Sequence, residues 1–166
     1  MKSLLDFARS LGFLIPLVRT GLAAPVVTPE TTKTTCIPFK GTLQSNEFYR
    51  TIFPTMFVTA KGSGEATLLG QITVHYMSEV NLSDLSQSGS VSFAGIYGDS
   101  LLAIGVGQAV GDRRPGMFNV VENYTITGGT GRFARASGRL TLKRRVNTQG
   151  GITSGSFKGY IVLPAN

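Results

Sequence analysis

Glu122 is the residue whose position most suggests chemistry. Around it side chains alternate: Phe118, Val120, Glu122, Tyr124 and Ile126 fall on one face. Asn119, Val121, Asn123, Thr125 and Thr127 fall on the other. A carboxylate on an apolar face must be paired, hydrogen-bonded or protonated. Burial raises a carboxyl pKa and suits the group to proton transfer near neutral pH. The same position suits a structural role, accepting N–H groups of the glycine-rich turn that follows or pairing with Arg132. Both readings stay open. Tyr124 is the second catalytic candidate, and Tyr76 and Tyr97 could offer phenol hydroxyls to a ligand oxygen. Tyr76 shares a face with Leu68, Ile72 and Val74, so it fits an apolar core equally well. Phe93 and Phe118 would line an apolar wall. Arg132 could clamp a carboxylate at the mouth of a cavity or tie strand ends together.

Other chemistries have little support. The chain has one cysteine, Cys36, and one histidine, His75. No intrachain disulfide can form, and a metal site would need clustered carboxylates that the sequence does not offer. A single histidine must serve any triad, and no Ser-His-Asp order is evident. Gly128-Gly-Thr-Gly131 lacks the helix and acidic partner of a dinucleotide site. No cofactor is expected. The formal charge is +7, from 16 Lys+Arg against 9 Asp+Glu. The densest basic group is Lys143-Arg144-Arg145, with Arg132, Arg135 and Arg139 before it. Alternation puts Lys143 and Arg145 on one face and Arg144 on the other. No stacking aromatics interleave these arginines, which argues against nucleic-acid binding.

The elements that must position these residues are strands. The chain of 166 residues has 21 glycines, well above the usual share of about 7%. Most fall between runs of period two. Those runs predict strands at Ile37–Gln44, Thr55–Lys61, Glu65–Val80, Ser90–Tyr97, Ser100–Val110, Met117–Thr127, Arg139–Asn147 and Gly155–Leu163. Turns are expected at Gly62-Ser-Gly64, Asn81–Gly89, Gly98-Asp99, Gly111–Gly116, Gly128–Gly131 and Gln149-Gly-Gly151, with a short helical turn within Thr130–Ser137. Consecutive strands with short links pair antiparallel, and closure removes the exposed edges. The expected fold is all-β, a single antiparallel eight-stranded barrel over residues 36–166. About eight strands leave an interior that side chains fill or that holds one small ligand.

Three stretches carry a resemblance: Phe39–Thr42 (FKGT), Gly64–Gly70 (GEATLLG) and Phe118–Gly138 (FNVVENYTITGGTGRFARASG). The glycine-Arg-aromatic turn is similar to that of the allene oxide cyclase and dirigent barrel superfamily, and the chain resembles its small bacterial-type members, mostly of unknown function. Some spirotetronate-type cyclases share that barrel. The resemblance covers roughly Cys36 to Leu163. It implies an eight-stranded antiparallel barrel, calycin-like, with an apolar cavity that steers cyclisation or radical coupling without a cofactor. It also implies that dimers or trimers can form, so homo-oligomerisation is left open. One departure is Leu68, where the related pattern has histidine; any role of that imidazole is absent here.

Residues 1–24 read in two ways. Met1-Lys-Ser-Leu-Leu and the apolar run Leu11–Val18 resemble a secretory signal. Asp6, Arg9, Pro16 and Arg19 argue against a signal; the alternative is an amphipathic helix, with Leu4, Leu5, Ala8, Leu11 and Ile15 at helical spacing. A real signal would make the protein secreted; otherwise a cytoplasmic location is expected. The run is too short to span a bilayer, so no stable membrane insertion is expected. Residues 25–35 form an extended Pro/Thr-rich linker. The sequence thus points to a cofactor-free barrel that binds an apolar small molecule and promotes a cyclisation or isomerisation. The alternative is a non-catalytic, lipocalin-like secreted binding or structural barrel. An interior packed solid by Phe93, Phe118, Tyr124 and Phe157 would sink both. An open cavity with Glu122 or a tyrosine at its wall would favour the enzyme.

Overall fold

Eight strands follow one another along the chain and close on themselves. A computed structural model describes residues 34–164. The expected signal or helix at 1–24 and nearly all of the 25–35 linker lie outside the described residues. The strands are β1 (Thr34–Ile52), β2 (Thr55–Ala66), β3 (Gly70–Asn81), β4 (Ser86–Gly95), β5 (Ser100–Gly111), β6 (Met117–Thr130), β7 (Ser137–Asn147) and β8 (Ile152–Pro164). Each pairs antiparallel with its neighbours in sequence, and β1 pairs with β8 to close the barrel. A short 3-10 turn, Gly131–Phe133, links β6 to β7 where a helical turn was expected.

Period-two alternation decides what faces inward. On β3, Ile72, Val74, Tyr76 and Val80 are buried, while His75 and Met77 face solvent. On β6, Val120, Glu122, Tyr124 and Ile126 are buried. On β5 the outward face is also apolar, with Leu102, Ile104, Val106 and Val110 exposed. That is why its sequence reads as a nearly continuous hydrophobic run.

Two strand boundaries differ from the sequence reading in ways that matter. The first strand runs on past Gln44 to Ile52, which brings Glu47 and Tyr49 into the barrel. Gly62-Ser-Gly64 is not a turn; it lies inside β2, paired with Leu43–Ser45. There glycine serves close strand approach: a Cβ on Gly62 would sit 2.6 Å from the Cβ of Ser45. The actual reversal comes later, between Ala66 and Gly70, where Leu68 takes the left-handed conformation with φ 71°.

The two ends of the barrel are filled differently. At the end where β1 begins and β8 finishes, the interior is filled by side chains. Phe39, Phe93 and Phe157 pack with ring centroids 4.8 to 5.8 Å apart, and Leu101, Ile126, Phe133 and Ile161 are buried in the same core. Tilted and edge-on rings at this spacing bring stabilisation beyond area burial. Toward the other end, buried polar residues replace aromatic ones, and the side chains leave a cavity.

Candidate functional site

The cavity-side half of the barrel holds the charged residues that the fold buries. Glu47 and Tyr49 come from β1, Tyr76 from β3, Gln87 from β4, Glu122 and Tyr124 from β6, and Arg144 from β7. Each is placed by the inward phase of its strand. Glu47 and Tyr49 are two residues apart and so share a face, as do Glu122 and Tyr124. Arg144 is the inward member of the basic run, between the outward Lys143 and Arg145.

Arg144 is the hub. Its Nε donates to Glu122 Oε2 at 2.7 Å, and its Nη2 donates to Glu122 Oε1 at 3.2 Å. Nη1 donates to Glu47 Oε1. Nη2 also donates to Tyr76 Oη at 2.9 Å, and the guanidinium lies 4.2 Å from the Tyr76 ring centroid. Glu122 is only 2% exposed and Arg144 only 6%. Glu122 Oε1 further accepts from Tyr76 Oη at 2.8 Å, Gln87 Nε2 at 2.8 Å and Tyr124 Oη at 3.1 Å. Glu47 Oε2 accepts from Tyr49 Oη at 2.8 Å. Every partner of the two carboxyl groups is a group able to donate a hydrogen bond.

Neighbours fix the protonation of the rest. Burial, reinforced by the Glu122 charge, holds the Tyr76 and Tyr124 hydroxyls above the ordinary value of 10.0 despite the opposing Arg144 charge. Burial and Glu47 do the same for Tyr49. These phenols are therefore neutral donors at physiological pH. Burial alone would lower Arg144; the charges of Glu122 and Glu47 and the hydrogen bond to Glu122 oppose it, and the guanidinium stays charged. Gly107 makes room for the network. It stands opposite Gln87 and Glu122, and a Cβ there would lie 2.5 Å from Glu122 Cγ and 3.0 Å from Gln87 Nε2.

Above this network opens a cavity of about 270 Å³. Its walls are largely apolar, including Met56, Val58, Val80, Leu85, Phe118 and Val146. Its polar lining includes Glu47, Tyr49, Gln87 and Arg144. Ligand pockets usually measure roughly 300–1,000 Å³; this one lies just below that range, with room only for a small molecule. Glu122, Tyr76 and Tyr124 are not part of the lining; they sit behind it and hold Arg144 and Gln87 in place.

The sequence candidates are thus distributed unevenly. Phe118 lines the cavity. Glu122, Tyr124 and Tyr76 form the supporting network. Phe93 belongs to the packed aromatic core at the other end, away from the cavity lining. Tyr97 sits in the β4–β5 turn and is 85% exposed. Arg132 does not pair with Glu122. Its Nε donates to Asp99 at 2.6 Å and its Nη2 to the Leu68 carbonyl at 3.1 Å. It ties three turns together at the packed end. Glu47, Tyr49, Gln87 and Arg144 were not singled out. The pattern Glu47-Phe-Tyr49 has the right alternation, but an expected strand end at Gln44 hid it. Alternation sets Arg144 opposite Lys143 and Arg145, but nothing in the local sequence gives it a role. Among the described residues, no three of His, Cys, Asp and Glu stand close enough to share a metal ion.

No family model matches the chain, and no curated protein matches it. Among solved structures, a pterocarpan synthase dirigent protein matches with a TM-score of 0.59 over 82% of this chain and 90% of that one. The two share 11% sequence identity, so the likeness is one of fold: the chain is a dirigent-like, closed eight-stranded antiparallel β-barrel.

Proposed function

We propose that the protein binds a small apolar molecule in the end cavity of its barrel and, without a cofactor, promotes its cyclisation or isomerisation. The observation that carries this reading is the cavity itself: apolar walls meeting a preorganised polar floor of Glu47, Tyr49, Gln87 and Arg144. Apolar walls fold a flexible substrate into a reactive conformer, which removes part of the entropic barrier. Glu47 can take or return a proton, and Tyr49 and Arg144 can donate to a developing negative oxygen. The dirigent protein of similar fold is named a pterocarpan synthase, which is compatible with an enzymatic role for a barrel of this shape. Nucleic-acid binding loses support, because Arg144 is inside the barrel while Arg132 and Arg145 pair with Asp99 and Asp112.

A second reading is a binding barrel without catalysis. The complete hydrogen bonding of Glu122 favours it, since a saturated carboxylate is a poor proton carrier. One experiment tests the cavity and separates the two readings. The purified protein and an Ala109→Trp variant, whose indole fills the cavity, are incubated with plant or bacterial metabolite extracts and examined by native mass spectrometry. The wild type retains a small apolar compound and the variant does not. Retention by both, or by neither, sinks the cavity reading. If the compound is recovered unchanged after prolonged incubation, the binding reading wins; recovery as an isomer supports catalysis.

A further inference from the structure

In the buried network two carboxyl groups, Glu47 and Glu122, share one guanidinium, Arg144. We infer that the cavity selects a ligand with an apolar body and a cationic head, a protonated amine, seated against Glu47. The inference rests on the cavity being a ligand site and adds the chemical class that it takes.

Three observations lead there. Arg144 lies between the two carboxylates and donates to both, so its single positive charge can neutralise only one of them. The three tyrosines around the network are held neutral, so they add no further negative charge, and a phenol has no positive charge to offer. With both carboxyl groups ionised, one negative charge is left over in a buried setting, where an unpaired charge is costly. The surplus is not evenly placed. Glu122 has donors on both oxygens, five hydrogen bonds in all, from Arg144 twice, Tyr76, Gln87 and Tyr124. Glu47 has one donor on each oxygen, Arg144 on Oε1 and Tyr49 on Oε2, and it is the carboxylate that lines the cavity. Its Oε2 keeps acceptor capacity for one further donor.

Among the described residues, no other charged side chain lines the cavity besides Glu47 and Arg144. A protonated amine entering it would complete a neutral set of two anions and two cations. A carboxylate ligand would raise the buried surplus to two negative charges. The apolar wall residues on the facing strands, Val58, Val80 and Val146 among them, would cover the hydrocarbon body.

The test compares three probes of nearly the same shape: phenethylamine, phenethyl alcohol and phenylacetate. Each is titrated into the full-length protein by calorimetry at neutral pH and moderate salt. The amine is expected to bind at least about tenfold tighter than the alcohol, as a charge-assisted hydrogen bond in place of a neutral one implies. Phenylacetate is expected to be the weakest of the three. In Glu47→Gln the amine and the alcohol converge. Equal affinity of amine and alcohol in the wild type, or tightest binding of phenylacetate, overturns the inference while leaving the cavity reading intact. Failure of all three probes to bind overturns both. The wild-type ranking decides the matter even if Glu47→Gln does not fold.

Discussion

Arg144 concentrates the energetics of the site in one side chain. Taking a guanidinium and two carboxylates out of water is expensive, and only their mutual contacts offset it. Removing Arg144 alone leaves Glu47 and Glu122 buried and unpaired. Arg144→Met is expected to cost about 3–5 kcal/mol, read as a shift in the urea midpoint at unchanged slope. Tyr76→Phe removes one donor to Glu122 and one acceptor for Arg144, and is expected to cost about 1–3 kcal/mol. The informative contrast is a triple variant, Glu47→Met, Glu122→Leu and Arg144→Leu. Replacing a whole buried ion network with apolar residues of similar volume is often neutral or stabilising. The triple variant is expected to recover most of the stability lost in Arg144→Met and to lose ligand binding. A triple variant less stable than the single one would show that the network is there to hold the barrel rather than to serve the cavity.

At the scale of the strand, glycine placement decides whether the network can form. Gly107 faces the Glu122–Gln87 hydrogen bond from β5. In Gly107→Ala the new Cβ pushes against Glu122 Cγ and the Gln87 amide, so the carboxylate must shift away from its donors. A cost of about 1–3 kcal/mol is expected, with weakened ligand affinity. A thermal melt of Gly107→Ala beside an outward control such as His75→Ala checks it, since the control is expected to lie within about 0.5 kcal/mol of wild type. Strands were also the level at which the sequence was most and least readable. Alternation alone placed Glu122, Tyr124 and Tyr76 inward, and the run of short links made closure the natural solution. The part of β1 beyond Gln44 was not legible, because Ser45-Asn-Glu-Phe has the small and polar residues of a turn. Its pairing with Thr55–Gly62 of β2, and that of Ser45 and Asn46 with Thr153 and Ile152 of β8, makes it strand. Glu47, the carboxylate at the cavity wall, was lost with that boundary. Gly62-Ser-Gly64 misled in the opposite direction, since glycine signals both a turn and a close strand crossing. Arg144 had the right phase, but its partners lie on β1, β3 and β6, and a contact across the barrel interior leaves no mark in local sequence.

At the scale of the molecule, the barrel divides its work between a sealed half and a tuned half. The aromatic half around Phe39, Phe93 and Phe157 gives the closed sheet a rigid floor, so the polar half need not pack tightly. The tuned half has a consequence for pH. Burial, with Glu122 next, keeps Tyr76 and Tyr124 protonated in the folded barrel above the ordinary 10.0, and burial with Glu47 does so for Tyr49. In the unfolded chain these phenols ionise near that ordinary value. As pH rises past about 10 the unfolded state therefore loses protons that the folded state keeps, and stability falls with pH. Below that pH the contribution is fully present. The expected result is a urea midpoint that declines from pH 10 upward, with tyrosinate absorbance appearing together with unfolding for these residues. Tyr97 is exposed in its turn and supplies the internal comparison: Tyr97→Phe leaves the alkaline slope unchanged, whereas Tyr124→Phe, which removes one of the buried hydroxyls, makes it shallower. An alkaline slope identical in all three proteins would mean that the buried phenols do not control this loss of stability.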